Sequence, residues 1–173
     1  YQENAQRILN LSYRMVREEQ TARDLAQEVW IKVYQNLGRF EGKSAVSTWL
    51  YRITVNHILN YFKREKKRRW REVLNLNVKE GWQGEFPDYD NFSTGEDTPE
   101  EKLQQKDRES VVWQAIQQLP ENQRIPLLLF RYEDRNYKEI SEILGLSINA
   151  VESRLHRARK KLQKLLEPYL NKI

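Results

Sequence analysis

The chain has 173 residues, with 30 Lys and Arg against 25 Asp and Glu and a formal net charge of +5. This length allows one ordinary domain or two small ones, and the absence of Cys excludes disulfides, thiolate nucleophiles and Cys-ligated zinc. No apolar run approaches the roughly 18 residues that cross a bilayer. Glycine-rich nucleotide loops, H-E-x-x-H and G-x-S-x-G are also absent, so we expect no enzyme, no catalytic residue, no metal site and no cofactor.

The few turn-forming residues and the uneven charge predict an all-α protein made of two small modules. Only six Gly and five Pro occur, too few for the frequent turns of a β-sandwich or barrel. Residues 1–70 carry a net charge of +7, residues 71–101 of −7, and residues 102–173 of +5. The middle stretch is rich in Gly and Pro and has no sustained period, so we predict a flexible acidic linker over 71–101 between two basic modules.

Two short helices are predicted at the start of the first module. Residues 5–17 place Ile8, Leu11 and Met15 on one face. Residues 21–38 follow with a capping box at Thr21 and Asp24, a C-cap at Gly38, and an apolar face of Ala22, Leu25, Ala26, Val29, Val33 and Leu37. The opposite face carries Asp24, Gln27, Glu28, Ile31 and Gln35. From the spacing alone it is either a solvated surface or a site for a partner.

A longer helix is predicted from Ser47 to about residue 69, with a polar stripe on an otherwise largely apolar segment. Arg52, Asn56, Asn60 and Lys63 follow one another at spacings of 4, 4 and 3, which places them on one face. Asn is a mediocre helix former, so two Asn residues in this stripe indicate either a solvated face or a face that binds a ligand. The helix then enters residues 63–71, with seven basic side chains and one acidic, a density typical of phosphate binding.

The last module contains a helix-turn-helix pattern over residues 137–155. Ile140 and Leu144 are predicted to face inward, Gly145 to make the turn, Ser147 to cap the second helix, and Val151 to pack against the first. An apolar seam then runs through Ile148, Val151, Leu155, Ala158, Leu162 and Leu165. It leaves an outer face that is suited to a DNA major groove, formed by Asn149, Glu152, Ser153, His156, Arg157 and Lys160.

Several of these segments together resemble the extracytoplasmic-function class of bacterial RNA polymerase sigma factors. The resemblance lies in D-L-A-Q-E-V-W from Asp24, F-E-G-K-S from Phe40, S-T-W-L-Y-R-I-T-V-N from Ser47 to Asn56, and the segment from Leu119 to Arg159. It covers nearly the whole chain except the linker, in the family's order and spacing. It implies a region 2 module over 1–70, a region 4 module over 102–173, and a cytoplasmic protein.

The resemblance also implies partners and site residues. Asp24, Gln27 and Glu28 would dock on the clamp helices of the largest subunit of core RNA polymerase, and the flap of the second subunit is a further implied contact. A flipped minus-ten base would enter the loop at 40–46, where Asn56 would help to read it. Implied minus-ten contacts are Phe40, Lys43, Ser44, Trp49, Arg52, Asn56, Asn60 and Lys63. The minus-thirty-five contacts fall on Glu152, Ser153, His156 and Arg157, and an anti-sigma protein is a further expected partner.

Some positions depart from the family pattern. Trp49-Leu50 stands where primary sigma factors have two adjacent tryptophans, so we expect strand opening to depend more on a well-matched promoter. Glu152 replaces a frequent Lys or Arg and would accept a hydrogen bond from a cytosine amino group. Pro126 should kink its helix or delay the start of that helix. The first residues of region 2 are expected to be missing before Tyr1.

Two other functions remain open from the sequence. A free-standing helix-turn-helix regulator would bind duplex operators as a dimer without polymerase. This function leaves the first module and its polar face at Asp24, Gln27 and Glu28 unexplained. A metal-dependent nuclease would need clustered carboxylates, whereas the acidic residues lie mainly in the linker.

Overall fold

The protein is all-α, as predicted, in a computed structural model that describes residues 2–76 and 109–170, with side chains over 3–68 and 109–169. The first module contains α1 (Gln2–Val16), α2 (Glu19–Asn36) and α3 (Val46–Leu76). The second contains α4, described over 109–117, then α5 (Glu121–Tyr132), α6 (Tyr137–Leu144) and α7 (Ile148–Leu170). These ranges contain no β-strand, and none of their helices is long and apolar enough to span a membrane.

Helices α1 and α2 form an antiparallel pair on α3. Ile8, Leu11 and Met15 are buried as their spacing predicts. The predicted capping box at Thr21 is wrong, because α2 begins earlier and Glu18 caps it. The Glu18 carboxylate accepts hydrogen bonds from the backbone N–H groups of Gln20 and Thr21, which satisfies donors left free in the first turn. These hydrogen bonds lower the pKa of Glu18.

The end of α2 also differs from the prediction. The α-helix stops at Asn36 and a 3₁₀ turn, Leu37–Arg39, follows, so Gly38 lies inside this turn and does not act as the left-handed cap. Because a 3₁₀ turn has three residues per turn, it shifts the phase of the helix. Leu37, predicted in the core, is therefore exposed.

The longest helix, α3, extends beyond its predicted end. It runs to Leu76, so the backbone over 71–76, the first part of the predicted acidic linker, is helical. This segment contains no Gly or Pro to end the helix. The rest of that linker prediction, residues 77–101, lies outside the described residues.

The helix-turn-helix in the second module follows its sequence pattern closely. Gly145 adopts a left-handed conformation (φ 64°) at the end of α6, and the Ser147 hydroxyl accepts from the N–H of Ala150 at the start of α7. Ile140 and Val151 are fully buried against each other's helices, whereas Ile148, predicted in the seam, is exposed in the first turn of α7. The predicted delay at Pro126 does not occur, since α5 starts at Glu121 and includes Pro126 as a buried residue.

The two modules pack on each other and share one hydrophobic core. Leu11, Val55 and Ile58 of the first module belong to the same buried cluster as Leu128 and Ile140 of the second. A smaller cluster, which includes Val29 and Leu50, lies within the first module. The described residues therefore form a single packed body, although the chain leaves one module 32 residues before it enters the other.

Candidate nucleic-acid interface

The polar stripe of α3 lies on an exposed face, as its spacing predicts. Arg52, Asn56, Asn60 and Lys63 are all exposed, while Val55 and Ile58, on the opposite face, are fully buried. Burial of one face fixes the rotation of the helix, so the four polar side chains point away from the core together. We call these four residues the α3 stripe. It offers two amides and two cations to one ligand surface.

A loop over 40–45 lies beside the start of α3. The rings of Phe40 and Trp49 pack 5.1 Å apart at 49°, which anchors the loop to α3. Gly42 has φ 69°, a conformation that L side chains rarely adopt, and Lys43 forms an ion pair with Glu41. Ser44 is half-buried. Among the predicted minus-ten residues, the structure therefore brings Phe40 and Trp49 into contact and leaves Lys43 on the surface.

The basic run that follows the α3 stripe is also accessible. Arg64, Lys66, Lys67 and Arg68 are exposed, and Arg68 contacts Glu65 at 2.7 Å. Side chains of residues 69–71, the end of the predicted run, lie outside those that the structure describes. Clustered Lys and Arg at a helix surface favour contact with phosphates, whatever the base sequence.

The outer face of α7 is the second candidate surface. All six predicted residues are exposed: Asn149, Glu152, Ser153, His156, Arg157 and Lys160. Val151, Leu155 and Ala158 on the inner face have no exposed area, which holds α7 against α5 and α6. The Arg157 Nε donates to the Ser153 carbonyl at 3.2 Å, an exposed contact that an incoming ligand can replace. We call these six residues the α7 face.

A third exposed surface lies on α2 and contains residues that the sequence analysis missed. Asp24, Gln27 and Glu28 are exposed as predicted, and Asp24 accepts from the Gln20 side chain at 2.9 Å. Beyond them the side chains of Ile31, Tyr34 and Leu37 are 58%, 82% and 57% exposed. Tyr34 could have been identified by its spacing of three from Ile31 on the face opposite the core, whereas Leu37 joins the patch because the 3₁₀ turn moves it out of the core. We call these six residues the α2 face.

A buried histidine connects the α2 face with the helix that carries the α3 stripe. His57, next to Asn56, is only 6% exposed, and its Nε2 lies 2.8 Å from a carboxylate oxygen of Glu28. Burial lowers the pKa of His57 because it disfavours the charged imidazolium, although the Glu28 carboxylate acts in the opposite direction. Lys32 and Arg64 lower the pKa further.

This lowered pKa predicts the pH dependence of stability. Between the folded-state pKa and the ordinary value near 6.5, the unfolded chain binds more protons at this site than the folded chain. The free energy of unfolding should therefore fall as the pH drops below about 6.5. Denaturant titrations of His57→Gln should lack this component, and His156→Gln, at the other and exposed histidine, should retain it. Equal pH slopes for the parent and His57→Gln would contradict the assignment.

Comparison with known proteins gives the same two modules. The family models of Sigma-70 region 2 and Sigma-70, region 4 match residues 1–68 and 110–162. RNA polymerase sigma-H factor of Pseudomonas aeruginosa is 36% identical over 164 residues, covering 95% of this chain and 82% of that protein. RNA polymerase sigma factor YlaC of Bacillus subtilis is 32% identical, covering 95% and 88%. ECF RNA polymerase sigma-E factor of Escherichia coli strain K12 is 30% identical, covering 86% and 75%.

Two solved structures share the fold. The sigma factor RpoE of Bartonella quintana, in complex with the anti-sigma factor NepR, gives a TM-score of 0.67 at 24% identity and covers 95% of this chain and 92% of that one. CnrH, in complex with the cytosolic domain of CnrY, gives 0.59 at 20% identity and covers 93% and 80%.

Proposed function

This chain belongs to the ECF RNA polymerase sigma factors of the sigma-70 family, and from that premise we propose that it directs core RNA polymerase to promoters by reading two elements. The minus-ten element is read as melted non-template strand by the first module. The minus-thirty-five element is read as duplex by the second. The observation that carries this proposal is the α3 stripe, whose exposed amides and cations continue into a basic run.

The α2 face is the surface we assign to core polymerase. A partly apolar patch bordered by polar groups is typical of a protein interface, and it suits DNA poorly because Asp24 and Glu28 would repel phosphates. Ile31, Tyr34 and Leu37 supply the apolar patch. The clamp helices of the largest subunit are the proposed partner of this face, and the flap of the second subunit is the proposed partner of the second module.

The α3 stripe is suited to unpaired bases held on their backbone. Asn56 and Asn60 can donate to and accept from a base edge, and Arg52 and Lys63 can neutralise phosphates on either side. Extrusion of a base costs a few kcal/mol, which contacts to the exposed edge offset. The loop at 40–45 is the proposed receptor for that base, since the Phe40–Trp49 contact holds it next to the stripe.

The α7 face reads the duplex element. A recognition helix places three or four side chains on base edges in the major groove, and here Glu152, Ser153, His156 and Arg157 occupy the exposed first turns. Arg157 is suited to guanine and Glu152 to a cytosine amino group. Asn149 and Lys160 lie at the two ends of the face, where they would contact phosphates of the DNA backbone.

A protein inhibitor of the anti-sigma class is a further proposed partner. Its support is that the similar RpoE was solved with the anti-sigma factor NepR. A complex of that kind would compete with core polymerase for the chain.

The polymerase contact can be tested by removing one exposed aromatic side chain. Tyr34→Ala should weaken the affinity for core polymerase by at least about tenfold, because exposed Tyr residues at the centre of an interface are frequent hot spots. Gln6→Ala, which truncates an exposed side chain of α1 in the same module but outside the α2 face, is the control and should leave the affinity unchanged. Fluorescence anisotropy of labelled chain titrated with core polymerase gives both values.

The same titration separates the proposal from a free-standing regulator. A sigma factor binds core polymerase and gains promoter selectivity in the complex. If the chain fails to bind polymerase but binds duplex operators tightly as a dimer, it acts as a free-standing regulator. The proposed roles of the α2 face, the α3 stripe and the α7 face in a holoenzyme are then wrong.

A further inference from the structure

One polar side chain interrupts the apolar row by which α3 packs on α2. Leu50 and Ile53 of this row belong with Val29 of α2 to the smaller hydrophobic cluster. His57 comes four residues after Ile53, on the same face of α3, and is buried as well. An apolar side chain would fill this position without the cost of burying a polar ring. A buried titratable group beside a proposed binding surface is a candidate for a functional role.

The contact that His57 makes leads outward to the α2 face. Its Nε2 lies 2.8 Å from a carboxylate oxygen of Glu28, whose side chain is 53% exposed. The same carboxylate therefore contacts a buried ring on its inner side and is accessible to a partner on its outer side. Glu28 is one of the residues that we assign to core polymerase. The contact thus joins the proposed polymerase surface to the interior of the first module.

A lysine on α2 is the alternative partner for this carboxylate. Lys32 lies four residues after Glu28, which is the spacing and order at which Glu and Lys pair best on a helix. In the part of the chain that the structure describes, Glu28 contacts His57 and forms no ion pair with Lys32. An ion pair with Lys32 would compensate the charge of Glu28 and draw its side chain along the surface of α2.

The surroundings of His57 keep its imidazole neutral. Burial is the main cause that lowers the pKa of His57, and the positive charges of Lys32 and Arg64 lower it further, whereas Glu28 acts in the opposite direction. A neutral ring in contact with the carboxylate leaves the negative charge of Glu28 uncompensated. That charge is then available to a cationic group of a partner.

We infer that His57 is a positioning residue for core polymerase, because it holds the Glu28 carboxylate away from Lys32 and leaves its charge available at the α2 face. This inference rests on the proposed function for the partner of that face. The acidic side chains of Asp24 and Glu28 favour a basic surface on the partner. A carboxylate that is already ordered in the free chain avoids part of the ordering cost that opposes binding.

Two substitutions of His57 separate positioning from packing. His57→Leu suits the apolar row but has no polar atom to hold a carboxylate, so the affinity for core polymerase should fall roughly three- to tenfold. His57→Gln has an uncharged amide N–H that can reach Glu28, so its affinity should stay within about twofold of the parent. A role in packing alone predicts the reverse order, because Leu suits an apolar row better than Gln. That reverse order, or parent-like affinity of folded His57→Leu, would overturn the inference.

A double-mutant cycle shows whether His57 acts through Glu28. Glu28→Ala alone should weaken the affinity, and His57→Leu should cost nothing further in that background. An undiminished loss in the Glu28→Ala background would mean that His57 acts elsewhere, which contradicts the inference. Lys32→Gln should raise the affinity more in the His57→Leu chain than in the parent, since only there can Glu28 turn to Lys32. Equal gains in both chains would contradict the competition between His57 and Lys32.

Thr54→Val is the matched control for His57→Leu. Thr54 is another buried polar residue of α3, but its hydroxyl donates to the Leu50 carbonyl at 2.9 Å within the same helix. Its replacement should leave the affinity for core polymerase unchanged, and a loss equal to that of His57→Leu would make the effect one of packing. Thermal melts establish that each variant is folded, and His57→Met takes the place of His57→Leu if the latter does not fold.

Fluorescence anisotropy of the labelled chain titrated with core polymerase gives all of these affinities. At saturating polymerase, His57→Leu should form open complexes as the parent does, whereas a loss there would place the effect in the neighbouring α3 stripe and contradict positioning. A parent chain that does not bind core polymerase would contradict the proposed function and this inference together. A parent chain that binds, with folded His57→Leu at the same affinity, would overturn the role of His57 alone.

Discussion

Leu155→Ala should lower the free energy of unfolding by about 2–5 kcal/mol, the largest effect that we expect from a single substitution. Leu155 has no exposed area and belongs to the core shared by both modules, so truncation loses buried apolar contacts and leaves a cavity. Because the residue holds α7 in place but does not face DNA, binding to the minus-thirty-five element should weaken equally on all sequences. Urea denaturation and footprints on native and scrambled elements measure the two effects.

Arg157→Ala is the matched control one half-turn away. This side chain is exposed, so stability should change by no more than about 0.5 kcal/mol. Base preference should instead relax at one position, at a cost of about 1–3 kcal/mol, whereas Lys160→Ala should weaken binding evenly. If Arg157→Ala loses the same binding affinity on native and scrambled elements, Arg157 does not read a base.

Asn56→Ala in the holoenzyme should reduce open-complex formation by roughly 5–150-fold, which corresponds to about 1–3 kcal/mol for a polar partner left unsatisfied. The loss should depend on one base of the minus-ten element. It should persist on pre-melted templates, because the missing contact is to the open strand and not to the act of melting. Transcription from pre-melted templates that carry each of the four bases at that position measures it.

Asn10→Ala provides the control for this substitution, because Asn10 lies on α1 outside the proposed DNA surfaces. It should alter stability slightly and leave promoter opening unchanged. An equal loss on all four bases for Asn56→Ala would assign Asn56 a structural role only, and lower thermal stability would accompany it.

Local chemistry explains why much of this fold could be predicted. The turn between α6 and α7 depends on Gly145 and Ser147, which lie next to the backbone groups that they satisfy. The α3 stripe and the buried face opposite it follow from helical period alone. The prediction was wrong where two local structures were both compatible with the sequence. Glu18 caps α2 instead of Thr21, and a 3₁₀ turn in place of a last α-helical turn moves Leu37 out of the core.

The contacts that join distant segments could not be predicted from one sequence. Arg14 and Glu133 are 119 residues apart, and Tyr51 and Glu133 are 82 apart, so no periodicity or cap motif relates them. The His57–Glu28 contact crosses from α3 to α2 in the same way. Each depends on how helices pack, and that packing is set by the whole core rather than by any short pattern.

Transcription from a randomised template library decides whether this chain selects promoters through core RNA polymerase. Core polymerase with and without the chain would be supplied with duplex templates of random upstream sequence, and the transcripts would be sequenced. We expect chain-dependent starts downstream of two enriched blocks, near minus ten and minus thirty-five. Start sites that are the same with and without the chain, together with tight duplex binding by the chain alone, would contradict promoter selection through core polymerase.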